Sequence, residues 1–270
     1  MNPDKSGAAV LSDRDGVRVS RSGTTVHVEL VSPERRNAMT PATWRRLAGI
    51  PQELDDTDRA VILTGEGAGF CAGLDRRMFS PDGIPGEESL LELVRGSDAE
   101  IDDFITAAQK AFTWWRHVPQ LTIAYVHGHA IGAGFQLALS CDVILVDDGA
   151  SFAMREASLG LIPDLAGTAP LVAAVGYSRA LEICATGRAV DAHEAVALGI
   201  ALEVVPAVRR DERLSELLGA LLSPAADVVA ELKWLLGGIS DGTDQLVRER
   251  EAQLRRLRAL SRAVSGGGST

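Results

Sequence analysis

The segment Gly132-Ala-Gly-Phe-Gln-Leu-Ala-Leu-Ser-Cys-Asp142 contains the strongest structural signal in the chain. It begins with closely spaced glycines, and the residues that follow are almost wholly apolar. This pattern predicts a buried helix over residues 131–140 that starts directly from a glycine turn. Backbone N–H groups at such a start lack acceptors within the helix and lie at its positive end. The turn is therefore a candidate site for stabilising negative charge.

A second glycine turn, Gly69-Phe-Cys-Ala-Gly-Leu-Asp75, follows the β-branched run 60–64, which is typical of a buried strand. Neither turn has the Gly-Lys-Ser/Thr ending of a phosphate-binding loop, and the glycines at 128, 132 and 134 miss the dinucleotide-binding spacing. Each turn alone is more often an ordinary connection between a strand and the next element. Two such turns facing one point would form an oxyanion hole.

The segments around the two turns alternate between strand and helix patterns. Thr40-Pro41 is an N-cap followed by proline, so it predicts a helix over 41–54. A further helix is expected over 99–117, and the chain after Pro163 is predicted to be mainly helical, with a last helix near 244–263. This order predicts a single α/β domain. The expected strands are 26–30, 60–64, 121–126 and 143–146.

Three segments are expected to be poorly ordered. Residues 1–15 and 266–270 are interpreted as flexible tails, and the Pro-, Gly- and acid-rich segment 78–98 as a mobile loop lining the site. No Pro/Gly/Ser linker long enough to separate two domains lies between the tails.

Composition excludes several classes of protein. The 270 residues contain 27 Lys and Arg against 37 Asp and Glu, and only 4% are aromatic, so nucleic-acid binding is disfavoured. No apolar run is long enough to span a membrane, and no secretory signal is expected at the polar N-terminus. Cys71, Cys141 and Cys184 are scattered without a disulfide or zinc pattern, so a cytoplasmic protein is predicted.

Five motifs in order resemble the crotonase superfamily of enoyl-CoA hydratases and isomerases. They are Arg35-Arg-Asn-Ala-Met39, the two glycine turns, residues 152–168, and Ala185-Thr-Gly-Arg188, and the resemblance extends from about 20 to 206. It implies a spiral of β-β-α repeats over 16–206 and a helical C-terminal region over 207–265. It also implies an acyl-CoA thioester substrate, a homotrimer or dimer of trimers, and no cofactor or metal beyond the coenzyme A of the substrate.

The resemblance assigns roles to particular backbone and side-chain groups. The N–H groups of Leu74 and Ala133 would form the oxyanion hole, which stabilises the negative charge on a thioester enolate. A second set of residues would lie along the coenzyme A moiety. The two arginines of this set are interpreted equally well as solvent-exposed charged residues without a ligand. That set is Arg35, Arg36, Ala38, Ala72 and Asp75.

Carboxylates are needed to move protons, and the chain differs from hydratases at one of them. Gln136 stands where hydratases of the superfamily have their first glutamate, and an amide does not accept a proton near neutral pH. Glu156 matches the second glutamate. Asp164 matches an aspartate of the dienoyl-CoA isomerases, although Pro-Asp is also common in turns.

Three functions remain open at this point. Double-bond isomerisation of an enoyl-CoA fits a lone glutamate best, because it adds no water. Hydration is the alternative within the same class, with Asp164 replacing the lost carboxylate, and a non-catalytic acyl-CoA binding protein is the alternative outside it. A nucleophilic role for Cys71 and metal binding by His127 and His129 are both disfavoured, since the neighbouring sequence supplies no partner for them. The arginine-rich segment 245–263 is a solvated helix or a contact with a neighbouring subunit.

Overall fold

The main sheet of the computed structural model, which describes residues 8–93 and 95–237, has seven strands in the order β1-β2-β3-β4-β5-β7-β10. β1, β2 and β3 form an antiparallel meander, and every later pair in this sheet is parallel. These strands are β1 (Ala9–Arg14), β2 (Val17–Ser22), β3 (Thr25–Leu30), β4 (Ala60–Gly65), β5 (Leu121–Val126), β7 (Val143–Val146) and β10 (Glu203–Val204).

A second sheet has three strands in the order β6-β8-β9. In it β6 pairs with β8 in parallel, and β8 pairs with β9 in antiparallel. Isolated bridges join Met39 to Leu74 and Cys71 to Ala130, so the segment after β4 is tied to both α1 and β6. The strands of this sheet are β6 (His129–Ile131), β8 (Ser151–Ala153) and β9 (Val190–Asp191).

Helices fill the connections and form most of the described chain after residue 163. Structure and sequence agree on the strands at 26–30, 60–64, 121–126 and 143–146 and on the buried helix after Gly132. The helices are α1 (Pro41–Gly49), α2 (Leu90–Leu93), α3 (Asp98–Thr113), α4 (Ala133–Leu139), α5 (Thr168–Val175), α6 (Tyr177–Thr186), α7 (Ala192–Ala197), α8 (Arg210–Leu221) and α9 (Ala226–Gly237).

Helix boundaries follow local capping chemistry. Thr40 caps α1 by accepting from the N–H of Thr43, and the α-helix ends at Gly49, where a 3-10 turn over Ile50–Glu53 replaces the end predicted at residue 54. Ser97 and Glu100 form a capping box at the start of α3. Trp114 and Trp115 stack at 4.0 Å between ring centroids and are buried in the core.

The flexible N-terminal tail expected over 1–15 is corrected in its second half. Ala9–Arg14 form β1, which pairs with β2 across the turn at Asp15 and Gly16. The exposed, polar residues of β1 weaken the apolar alternation that identifies a strand, so only the backbone pairing reveals it. The rest of that tail, residues 1–7, lies outside the described residues.

The mobile loop expected over 78–98 is also corrected. A 3-10 turn over Arg76–Phe79 overlaps its start, and the short helix α2 lies within it. The Glu87 carboxylate accepts from the Thr40 hydroxyl and from the Ala42 N–H, both at 2.8 Å, so it caps the N-terminus of α1 from outside. These long-range contacts anchor the segment, and its composition gave no sign of them.

Helix α9 is attached to the core through a buried charge. The ammonium of Lys233 lies 2.6 Å from the carboxylate of Asp142, which also accepts from the N–H of Thr122. The helix predicted at 244–263 and the tail at 266–270 lie outside the described residues. Among the described helices, none is long and apolar enough to cross a membrane.

Candidate active site

The two glycine turns meet in the structure. Cys71 and β6 exchange backbone hydrogen bonds, from Cys71 N–H to the His129 carbonyl and from Ile131 N–H to the Cys71 carbonyl, both at 2.9 Å. Gly73 has φ +88°, and a methyl group there would lie 2.5 Å from the Ile131 carbonyl and 3.5 Å from the Ala133 nitrogen. Glycine is required at 73 because the two backbones touch.

Both expected oxyanion donors lack acceptors among residues 8–93 and 95–237. The neighbours of Leu74 are occupied, since the Gly73 carbonyl accepts from the Met39 N–H and the Asp75 N–H donates to the Met39 carbonyl. Ala133 is the first residue of α4, where the N–H has no intrahelical acceptor. Within the described residues, neither the Leu74 nor the Ala133 N–H donates to another group. Two free donors on touching turns have the arrangement that stabilises a developing oxyanion.

Glu156 lies beside these donors. It is the first residue of a 3-10 turn that follows β8, and β8 is fixed to the second glycine turn because the Gly132 N–H donates to the Ala153 carbonyl at 2.8 Å. A methyl group at Gly132 would lie 3.2 Å from Oε1 of Glu156. The carboxylate is therefore packed against the residue immediately before Ala133.

The electrostatics of Glu156 suit a base. Burial raises the pKa of this carboxyl, hydrogen bonds that include the one from Gln136 oppose the rise, and the charge of Asp164 adds to it. Its Oε2 atom is buried and has no hydrogen-bond partner in the described part of the chain. A buried, unpartnered carboxylate oxygen is costly to stability and is typical of functional sites.

Gln136 contacts Glu156 directly. Its Nε2 donates to Oε1 of Glu156 at 2.8 Å, and its Oε1 accepts from the N–H groups of Leu165 at 2.9 Å and Gly167 at 3.3 Å. The side chain is 1% exposed. At the position where the resemblance expects the first glutamate of hydratases, the chain has an amide. This amide bonds Glu156 on one side and the N–H groups of Leu165 and Gly167 on the other.

Asp164 lies close enough to Glu156 for its charge to affect that residue's pKa. The residue is exposed in this chain, yet surrounding protein atoms raise its own pKa. Its carbonyl accepts from Nε2 of Gln109 in α3 at 2.7 Å, which attaches the loop that carries Asp164 to α3. The structure brings Glu156, Asp164 and Gln136 together.

The residues expected along coenzyme A also share one region. The Ala72 N–H donates to the Arg36 carbonyl and the Ala38 N–H to the Arg35 carbonyl, and Arg35 lies 3.6 Å from the buried carboxylate of Asp75. Asp75 is already engaged, because it accepts from the backbone N–H of Arg77 and pairs with the Arg77 guanidinium at 2.7 Å. Contact of these positions with coenzyme A stays a prediction.

Two disfavoured interpretations can be examined in the structure. Burial raises the pKa of the Cys71 thiol to about 12, so no thiolate forms near neutral pH. No group of three or more His, Cys, Asp or Glu side chains is arranged to hold a metal ion within residues 8–93 and 95–237. Nε2 of His127 contacts the Gly67 carbonyl at 2.9 Å.

Sequence reasoning missed Asn37, which shapes the first glycine turn. Asn37 has φ +55°; its side-chain amide donates to the Glu66 and Gly69 carbonyls, and its Oδ1 accepts from the Ser32 N–H. Asparagine tolerates the left-handed region, so the place of Asn37 after two arginines in the first motif was the available signal. Gln109, whose Nε2 donates to the Asp164 carbonyl, was missed as well.

Comparison with known proteins agrees with this geometry. The profile of the family described as enoyl-CoA hydratase/isomerase matches residues 20–263. A protein of Mycobacterium tuberculosis named as a probable enoyl-CoA hydratase is 32% identical over 204 residues, 74% of this chain and 71% of its own. The mitochondrial Delta(3,5)-Delta(2,4)-dienoyl-CoA isomerase of Rattus norvegicus is 34% identical over 209 residues, 75% of this chain and 60% of its own.

A solved structure from Thermobifida fusca, described as a putative enoyl-CoA hydratase in complex with acetoacetyl-CoA, superposes with a TM-score of 0.85 at 42% identity. The match covers 91% of this chain and 96% of that one. The fold and the two facing turns define a crotonase-type enzyme. More particularly, the chain belongs to the enoyl-CoA hydratase/isomerase family.

Proposed function

We propose that this enzyme isomerises the double bond of an enoyl-CoA, with Glu156 as the base and the N–H groups of Leu74 and Ala133 as the oxyanion hole. The observation that carries the proposal is the placement of Glu156. Its carboxylate packs against Gly132 beside Ala133, Oε2 has no partner among the described residues, and its only side-chain hydrogen-bond donor there is the neutral Gln136. One carboxylate beside an oxyanion hole is sufficient to move a proton.

The proposed steps balance without another reactant. Glu156 removes a proton from C2 of a 3-enoyl thioester, and the C–H electron pair becomes a dienolate whose charge rests on the thioester oxygen. The Leu74 and Ala133 N–H groups stabilise that charge, and each such donor contributes about 10²- to 10³-fold in rate. The proton then returns to C4, the C2–C3 double bond forms, and the base is regenerated. In a longer shift, Asp164 would deliver the second proton.

Hydration is the second candidate, because one observation favours it. Asp164 raises the pKa of Glu156 through its charge, so two carboxyl groups do interact at this site. In a pair of carboxyl groups, one member is able to take a proton from the water that attacks C3 of a 2-enoyl thioester, while the other protonates C2. The relatives named as hydratases make this candidate chemically reasonable.

Mass spectrometry of an acyl-CoA panel in heavy water tests both candidates. Saturated, 2-enoyl, 3-enoyl and dienoyl thioesters are incubated with the purified protein. Deuterium uptake with interconversion of 2-enoyl and 3-enoyl forms supports isomerisation. Addition of the mass of heavy water to the 2-enoyl thioester contradicts it and supports hydration, and binding without any mass change contradicts both.

The region of Arg35, Arg36, Ala38, Ala72 and Asp75 is proposed to hold the coenzyme A moiety. Asp75 is buried and paired with Arg77, so we assign it the role of holding the arginines rather than of contacting phosphate. No cofactor beyond that moiety enters the proposed steps. A cytoplasmic location is proposed because the three cysteines are free.

We further propose that the enzyme is a homotrimer or a dimer of trimers. A group of exposed apolar side chains supports an oligomer. It lies on α5, on α6, at the end of the 3-10 turn that begins at Glu156 and in the loop that follows this turn. We call these residues the apolar face: Leu159, Leu161, Ile162, Val172, Tyr177 and Leu181.

A further inference from the structure

The backbone beside Gln136 has an unusual conformation that the proposed chemistry does not explain. Ala166 has φ +62°, a left-handed conformation that a non-glycine residue adopts rarely and at an energetic cost. The N–H groups of the residues on either side of it, Leu165 and Gly167, converge on a single atom, Oε1 of Gln136. Converging backbone N–H groups around a left-handed residue form a concave site that binds a hydrogen-bond acceptor.

Gly167 makes room for this contact. A methyl group at residue 167 would lie 2.5 Å from Cγ of Gln136, so only glycine allows the side chain to approach so closely. Gln136 is buried and its helix α4 is packed in the core. The amide is therefore fixed in one orientation: both loop N–H groups need its oxygen, and its nitrogen must then point towards Glu156.

The fixed nitrogen determines which oxygen of Glu156 is free. Nε2 of Gln136 donates to Oε1 of Glu156 at 2.8 Å, whereas Oε2 is buried without a partner in the described chain. A carboxylate with one oxygen bound and the other unbound is held at one rotation. Reacting groups that are misplaced by about 1 Å cost about 10²-fold in rate, so this orientation matters for proton transfer.

We infer that Gln136 is a positioning residue: its oxygen holds the loop that carries Asp164, and its N–H orients Glu156 so that Oε2 is the oxygen that accepts the proton. This inference rests on the proposed role of Glu156 as the base. It assigns the amide a function of its own, beyond the absence of a second carboxylate. It also makes Gln136 a determinant of the reaction, because an N–H at this place orients a base and does not activate water.

Two substitutions separate the two halves of the amide. Gln136→Leu removes both the acceptor and the donor at similar size. Gln136→Glu keeps an acceptor for the loop but replaces the donor with an oxygen 2.8 Å from Oε1 of Glu156, so the two carboxyl groups must share a proton. The matched control is Gln109→Leu, which releases the same loop at the Asp164 carbonyl; Gln109 makes no hydrogen bond to Glu156.

The expected results differ between the variants. Gln136→Leu lowers kcat by about 10²-fold with little change in KM, because orientation rather than binding is lost. In Gln136→Leu the acidic limb of the kcat profile moves to higher pH, since the hydrogen bond that lowers the pKa of Glu156 is gone. In Gln136→Glu the limb moves the same way, because a second carboxyl group lies beside Glu156. Gln109→Leu leaves the acidic limb in place.

The inference is overturned if Gln136→Leu has the wild-type kcat and an unshifted acidic limb. It is also overturned if Gln136→Leu and Gln109→Leu lose kcat equally and neither shifts the acidic limb. Carbon-13 NMR titration of labelled glutamate gives a readout that needs no turnover. A Glu156 pKa that rises in Gln136→Leu supports the inference, and an unchanged value contradicts it. If the wild type isomerises no thioester, the proposed function fails, while this titration still decides whether Gln136 acts on Glu156.

Discussion

Glu156 combines two properties that seldom occur together in a residue selected only for stability. Its carboxylate is partly buried, and one of its oxygens has no hydrogen-bond partner in the described chain. Leaving a buried polar atom unsatisfied costs about 1–3 kcal/mol. The arrangement is understandable if that oxygen accepts a substrate proton, and it makes Glu156 the first residue to test.

Glu156→Gln is expected to lower isomerase turnover by about 10²- to 10⁴-fold while acyl-CoA affinity is retained. The amide oxygen of the new side chain accepts from Gln136 as the carboxylate does, so the fold is preserved but the base is lost. Steady-state kinetics and calorimetric titration with an unreactive acyl-CoA measure the two effects. Wild-type turnover in this variant excludes Glu156 as the base.

The pH dependence of the wild type follows from the same carboxylate. Burial raises the pKa of Glu156, and the base must be deprotonated, so kcat/KM falls as the pH drops through this raised pKa. The acidic limb is expected above the ordinary glutamate value of about 4.3. Asp164→Asn removes a charge that raises this pKa and is expected to move the limb to lower pH. A limb at or below the ordinary value would contradict the assignment.

At the scale of elements, the site depends on the contact between two glycine turns that lie far apart in sequence. The Gly73 carbonyl and the Asp75 N–H, on either side of Leu74, are both bonded to Met39 just before α1, and the N-terminus of α4 supplies the second donor. The proposed oxyanion hole uses only backbone N–H groups, so the side chain of Ala133 takes no part in it. Substitutions that separate the two backbones are expected to disrupt it.

Gly73→Ala is expected to reduce kcat by about 10²- to 10³-fold, because the added methyl group would lie 2.5 Å from the Ile131 carbonyl and would displace one donor. Gly23→Ala is the matched control: Gly23 also has a positive φ, but no atom lies within 4 Å of the added methyl group. Both variants lose stability through backbone strain of about 1–3 kcal/mol. Equal kcat values in the two variants would refute the role of turn contact.

At the scale of the whole molecule, the apolar face places hydrophobic surface beside the catalytic loop. Ile162 is 76% exposed and Tyr177 is 71% exposed, and Ile162 lies two residues before Asp164. Apolar surface of this kind usually marks an interface. An interface here would shield Asp164 and Glu156 from solvent and would couple assembly to activity.

Light scattering after size exclusion is expected to give three times the 28.6 kDa chain mass, or six times that mass for a dimer of trimers. Ile162→Asp is expected to yield smaller species with reduced activity, because burying the new carboxylate at an interface is costly. Val208→Asp is the control, since Val208 is 95% exposed and lies outside the apolar face. A monomeric wild type at micromolar concentration would contradict the proposed assembly.

The sequence by itself determined much of this protein. The β-branched runs, the N-cap at Thr40 and the apolar helix after Gly132 predicted the elements, because these signals are local and depend on residue spacing. The order of the motifs predicted the family and the positions of Glu156, Gln136 and the two turns.

Only the tertiary structure decided how those positions act together. The strand Ala9–Arg14 and the anchoring of the 78–98 segment by Glu87 depend on partners that are distant in sequence. The same holds for the amide of Gln136, whose orientation is fixed by two N–H groups on a loop about thirty residues away. Local patterns specify which residues are present, whereas the free oxygen of Glu156 arises from packing that brings three separate segments into contact.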